Sequence, residues 1–138
     1  MKKNSLLLLS FLLLLFISCK KNDTCPLPTY PISGLWIGTY TAEQVPSQGS
    51  LYYSFIIKPD GKVLTESLGG DGKTYYASGT WNLTGSTFIY SITTFESGIN
   101  QTGSLTFSDQ GNLTDGTWQD INNSPNLNGT FPTMTRIN

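Results

Sequence analysis

From Ser33 onward, apolar and polar residues alternate in short runs, and no stretch repeats its apolar residues at the spacing of a helix face. Eight such runs stand out, at about 34–41, 51–58, 62–68, 73–83, 86–95, 101–108, 112–119 and 128–137. Gly, Pro, Asn and Asp punctuate them, the residues that turns demand. In a strand every second side chain shares a face. That parity predicts an inward set: Trp36 and Tyr40, then Tyr53, Phe55 and Ile57, then Tyr75, Trp81 and Leu83. Phe88, Tyr90 and Ile92 follow on the fifth run, and Leu105 and Phe107 on the sixth. The third run leaves Val63 and Leu64 as alternatives. In the seventh, Leu113 and Trp118 fall on opposite faces of a regular strand, and a β-bulge near Asp115-Gly116 brings both inward.

Connector lengths alternate as well. Pro59-Asp60-Gly61, Thr84-Gly85 and Asp109-Gln110-Gly111 are tight turns, whereas Ala42–Ser50, Gly69–Gly72, Glu96–Asn100 and Asp120–Leu127 are longer. In a meander every second connector lies at the same end, so tight turns gather at one end and long loops at the other. The predicted fold is all-β: an eight-stranded up-and-down antiparallel β-barrel over residues 33–138, closed so that no edge is exposed. A seven-to-nine-strand sandwich is the rival, but it needs long crossovers, and no connector exceeds about ten residues. A Gly-x-aromatic unit recurs at Gly34-Leu35-Trp36, Gly79-Thr80-Trp81, Gly116-Thr117-Trp118 and Gly129-Thr130-Phe131. Glycine two places before a ring lies on the ring's own face and leaves room where rings crowd.

The start of the chain follows a different pattern. Met1-Lys2-Lys3-Asn4 is a short basic segment, and Ser5 to Phe16 is almost wholly Leu and Phe. That apolar run suits the h-region of a signal peptide and is shorter than the about 20 residues of a spanning helix. It ends Phe16-Ile17-Ser18-Cys19, which resembles the lipobox of bacterial lipoproteins, with Phe16 where Leu is usual. The resemblance implies a signal peptide over 1–18, cleavage before Cys19 and lipidation of the Cys19 thiol. An ordinary secretory signal with an incidental Cys is the alternative. In that family an Asp after the Cys favours retention at the inner membrane, so Lys20 points to the outer membrane of the cell envelope. Residues 19–32, with Lys20, Lys21, Pro26, Pro28 and Pro31, read as a lipidated flexible tether. Once Cys19 is lipidated, Cys25 has no partner within the chain. It reads either as a free thiol or as a cross-link between two chains.

Composition narrows the chemistry. The 138 residues include no His, 8 Lys+Arg and 9 Asp+Glu, and only 12% are charged. Without His, the Ser-His-Asp and Cys-His nucleophile systems and most zinc sites are excluded. A net charge of −1 argues against a nucleic-acid partner, which demands a basic face. The sequence implies no cofactor and no metal.

Three motifs look chemical and fail on context. Ser67-Leu68-Gly69-Gly70-Asp71-Gly72-Lys73-Thr74 nearly spells a phosphate-binding loop, but strand rather than helix follows it. Asp109 and Asp115 flank a turn without the bidentate Glu of a calcium loop. Glu66, Glu96 and Asp115 lie on or near strands, yet nothing in the sequence pairs them as a glycosidase would require. Asn-x-Thr triplets such as Asn82-Leu83-Thr84 are expected by chance at this Thr content.

Gly34-Leu35-Trp36 on the first strand resembles the Gly-x-Trp motif of lipocalins and the wider calycin group. Arg136, near the end of the last strand, matches the basic residue that lipocalins keep over that Trp. The likeness covers residues 33–138, without the C-terminal helix of the classical members; so compact a barrel also resembles the avidins, but their biotin-contacting pattern is not matched, and biotin is not inherited. It implies a lipid-anchored barrel that is not an enzyme and binds a small amphipathic or apolar ligand. The alternative is a structural or interaction lipoprotein with a barrel filled by its own side chains; a carboxylate-based enzyme is the third class. Trp36 and Arg136 are expected to close the barrel base. Tyr40, Tyr53, Tyr75, Trp118 and Phe131 are the candidate ligand-binding rings at the mouth.

Stable attachment to a membrane takes about two acyl chains, at roughly 0.8 kcal/mol per buried methylene. The Cys19→Ser protein is therefore expected to move from the membrane pellet to the soluble fraction. Unchanged pelleting would remove the lipoprotein reading.

Overall fold

The computed structural model describes residues 31–108 and 110–137. Eight strands follow one another: β1 (Gly34–Ala42), β2 (Leu51–Ile57), β3 (Lys62–Leu68), β4 (Thr74–Thr84), β5 (Thr87–Thr94), β6 (Asn100–Phe107), β7 (Asn112–Asp120) and β8 (Asn128–Ile137). Each pairs antiparallel with its neighbours in sequence, and β8 returns to β1, so the barrel is closed. The only helical element among the described residues is a 3-10 turn at Pro46–Gln48. The expected signal peptide, Cys19 and Cys25 lie outside the described residues.

The tight connectors after β2, β4 and β6 share one end, the base, and their glycines Gly61, Gly85 and Gly111 adopt φ of 80°, 60° and 76°. Positive φ is accessible to glycine without steric cost, which is why these turns close in so few residues. The longer connectors after β1, β3, β5 and β7 form the mouth. The phosphate-loop look-alike is one of these: Gly69–Lys73 connects β3 to β4, and no helix follows it.

Register explains the parity break in the seventh strand. Against β6, the pairing Ser104↔Thr117 gives way to Thr106↔Thr114, so Asp115 and Gly116 together face Leu105. Asp115 takes the extra place, exposed and at φ 52°. A second shift lies in β8 against β1, between Gly38↔Met134 and Thr41↔Thr130. Between β7 and β8 the register is unbroken, Leu113↔Met134 and Gly116↔Phe131. The two bulges therefore lie side by side, and each strand turns inward on both sides of its bulge. Pro132 sits in the β8 bulge, where a strand tolerates the loss of an N–H.

The core is the lumen. Trp36, Phe55, Phe88, Tyr90, Phe131, Leu105, Leu113 and Met134 are all but inaccessible, and Tyr40, Trp81, Leu83 and Phe107 pack against them half-buried. Val63 takes the inward place on β3 and Leu64 the outward one. Ile32 is also buried, so the packed domain includes the last residue of the predicted tether. Its carbonyl accepts the Trp36 indole N–H at 2.7 Å, which draws the incoming chain under the base.

Glycines make the rings fit. A Cβ on Gly103 would lie 2.6 Å from Cε1 of Tyr90 and 2.5 Å from the Thr117 carbonyl oxygen. Backbone on one side and a locked ring on the other leave no direction for relief. Gly103→Ala is expected to cost about 1–3 kcal/mol, the range for overpacking a core. In thermal unfolding that is a fall of several degrees, at about 4–8 °C per kcal/mol for a domain of this size. An unchanged melting temperature would show that the ring has room to move.

Candidate functional site

Four of the five candidate rings meet at the mouth end of the lumen. The Tyr40 ring stands edge-on to Tyr53 at 5.6 Å and to Trp118 at 5.7 Å, with Phe131 at 6.5 Å. Tyr53 and Phe131 are 4.9 Å apart. Tyr53, Trp118 and Phe131 are buried, whereas Tyr40 is half-buried. Such edge-on contacts satisfy the ring quadrupoles and fix ring orientation. Their polar edges are anchored to backbone: the Tyr40 hydroxyl donates to the Leu68 carbonyl at 2.9 Å, and the Trp118 indole N–H donates to the Thr41 carbonyl at 3.0 Å.

Tyr75 stands apart. It shares the inward parity of Ala77, but it lies half-exposed at the rim, where its hydroxyl donates to Asp71 Oδ2 at 2.9 Å. That carboxylate holds the Tyr75 hydroxyl above its ordinary pKa. The backbone N–H of Lys73 and this phenol hold the Asp71 carboxyl below the usual range. Lys73 Nζ lies 3.6 Å from the same carboxylate.

At the same end of the lumen, where β6 begins and β7 ends, lies a polar cluster that the alternation of apolar residues did not reveal. The Tyr53 and Tyr90 hydroxyls both donate to Gln101 Oε1, each at 3.2 Å. With both phenols on the oxygen, the Gln101 amide nitrogen is left as a donor, and it faces Asp120 Oδ1 at 3.5 Å. Asn123, from the β7–β8 connector, donates to the other oxygen of Asp120 at 3.2 Å. Asp120 is only 7% exposed. Gln101 shares its face with Gly103 and Leu105, and Asp120 its face with Trp118. Parity along β6 and β7 was therefore the signal, had it been extended to polar residues.

At the base, Trp36 and Arg136 are direct register partners on β1 and β8. The guanidinium lies over Gly34, its Nε 2.8 Å from where a Cβ would stand, so the glycine provides the space that the Arg136 side chain occupies. The Trp36 ring meets Phe107 edge-on at 5.9 Å.

The other candidates are not brought together. Glu66 lies on the outward face of β3, Glu96 in the β5–β6 connector, and Asp115 on the exposed bulge of β7. Among the described residues no three of Asp, Glu, Cys or His gather where they could hold a metal. No family model matches the chain, and no curated protein matches it in sequence.

Burial raises the pKa of Tyr53 and Tyr90 above the ordinary 10.0. Above pH 10 these two phenols ionise in the unfolded chain and stay neutral in the fold. The folded state then binds more protons, so stability falls as pH rises, by up to about 1.4 kcal/mol per pH unit for each tyrosine. Below pH 10 they contribute no slope. The urea midpoint is expected to fall steeply between about pH 10 and 11.5, and less steeply in Tyr90→Phe. Equal slopes in the two proteins would mean that Tyr90 ionises freely in the fold.

Proposed function

We propose that this chain is a lipid-anchored, non-enzymatic binding protein of the cell envelope, whose lipocalin-like barrel holds a small amphipathic ligand at its mouth. The anchor rests on the lipobox-like Phe16-Ile17-Ser18-Cys19, and the outer-membrane assignment on Lys20. The cluster of Tyr53, Tyr90, Gln101, Asp120 and Asn123 carries the binding reading. A lumen that served only as core would be cheapest as hydrocarbon, because burying a carboxylate or an amide costs stability unless every polar atom is well bonded. Here a carboxylate and an amide face each other at the mouth ends of β6 and β7, at the end away from the incoming chain. An apolar wall with a few convergent polar groups is the common form of a small-molecule site. Below Phe55 the lumen is ring against ring, so the ligand on this reading is shallow, seated at the level of Tyr40 and Trp118.

The second reading, a filled barrel that acts only through its surface, is favoured by the same ring packing. Native mass spectrometry of protein purified from its own host separates the two. The ligand reading expects a mass excess of one small molecule over the acylated chain, lost in Asp120→Asn while the melting temperature changes little. A chain with no excess mass in either protein would leave the filled-barrel reading in its place.

A further inference from the structure

The wall of the barrel has an outward face with a recess of its own. Along the outward side of β2, the small Ser54 stands between Tyr52 and Ile56. Ser54 is register partner to Glu66 on β3, and Glu66 to Tyr76 on β4. The next row towards the base is Leu35, Ile56 and Leu64. The Phe95 N–H donates to the Tyr76 carbonyl at 3.0 Å, which brings Phe95 to the same rim. Ser54 is thus the floor of a cleft of about 270 Å³, walled by hydrocarbon and rings.

Two features mark this cleft as more than surface texture. Ile56, Tyr76 and Phe95 are 44%, 49% and 64% exposed, large apolar groups held together around a concavity rather than scattered. Glu66 is the one charged side chain lining it, and among the described residues it forms no salt bridge. A carboxylate in a cleft lined by aromatic rings is complementary to one kind of group, a cation carried on hydrocarbon: the carboxylate supplies charge, and the rings supply burial and can supply cation–π attraction.

We propose that this outer cleft is a binding site for a small hydrophobic ammonium compound, with its hydrocarbon between Ile56, Leu64 and Tyr76 and its charge on Glu66. The site lies on the opposite face of the sheet from Tyr53 and Phe55, so it does not depend on the mouth reading. The carboxylate sets the order of affinity among ligands of one shape: cation, then neutral, then anion.

The test is an amide NMR titration of the full chain with 2-phenylethylammonium, 2-phenylethanol and 3-phenylpropanoate. Saturable shifts are expected at Ser54, Glu66, Tyr76 and Phe95, with the ammonium compound at least tenfold tighter than the alcohol and the carboxylate weakest. Glu66→Gln is expected to bring the ammonium compound to the affinity of the alcohol, with the alcohol unchanged. Tyr76→Ala, at a half-exposed position that the fold tolerates, is expected to weaken the ammonium compound and the alcohol together. Equal affinity for the three compounds, or no saturable shift at these amides, would overturn the proposal. Shifts centred on Gln101 and Asp120 would overturn it too, while supporting the mouth as the binding end.

Discussion

The structure depends on filling a closed lumen of fixed width. Eight antiparallel strands leave an interior just wide enough for side chains. Closure brings β8 back to β1 and removes every edge, but it also sets a volume that the inward residues must match. This chain fills it with large rings, which bury much apolar area per residue and so compensate for a sheet whose outer face is largely Ser and Thr. Rings of that size do not all fit opposite one another. Glycines on the facing strands take up the difference: Gly116 lies against Leu105 and Phe131, and Gly129 against the Trp118 indole nitrogen. At Gly116 and Gly129 the Gly-x-aromatic repeat is the sequence trace of this packing, whereas Gly34 makes room for Arg136 and Gly79 for the backbone of β5.

The same constraint accounts for the bulges. A strand with strict alternation cannot place Leu113 and Trp118 on one face, nor Phe131 and Met134. One extra residue in each strand solves both, provided the two shifts coincide so that β7 and β8 remain paired with each other. Asp115 accepts the positive φ that this requires, at modest cost for an Asp, whose short polar side chain tolerates that region. The β7 bulge was legible because two large apolar residues at odd spacing announced it. The β8 bulge was not read: its mark is the odd spacing of Phe131 and Met134, and a lone Met is a weaker marker than a ring.

Strand count, closure, the split between tight and long connectors and most of the inward rings followed from alternation and turn chemistry alone. What did not follow was the polar part of the interior. Gln101 and Asp120 occupy inward places, but residues of these types are usually exposed, and a pattern search that looks for apolar residues passes over them. Only the fold shows that two phenols from β2 and β5 converge on the Gln101 oxygen. A buried hydroxyl left without a partner costs about 1–3 kcal/mol, so one amide oxygen that serves two phenols offsets a large penalty for the lumen. Tyr75 shows the opposite error. Its parity was right, but β4 carries it past the rim, where Asp71 rather than the core becomes its partner.

Alternation gives a strand two faces, and the outward one is normally treated as solvated remainder. On β2 it is not. Tyr53, Phe55 and Ile57 fill the lumen, while Tyr52 and Ile56 stand outside with Ser54 recessed between them. The six consecutive residues therefore carry no charged or amide side chain, and outside the barrel their only polar side-chain groups are the Tyr52 and Ser54 hydroxyls. Parallel sheets buried on both sides show such patterns; an antiparallel barrel wall facing water has no folding reason to do so. Apolar groups on the outer wall add nothing to lumen packing and raise the risk of association, which a solvent-facing strand ordinarily limits with charge. That unneeded hydrophobicity, gathered around one carboxylate, is the physical reason to look for a second ligand outside the barrel as well as one at its mouth.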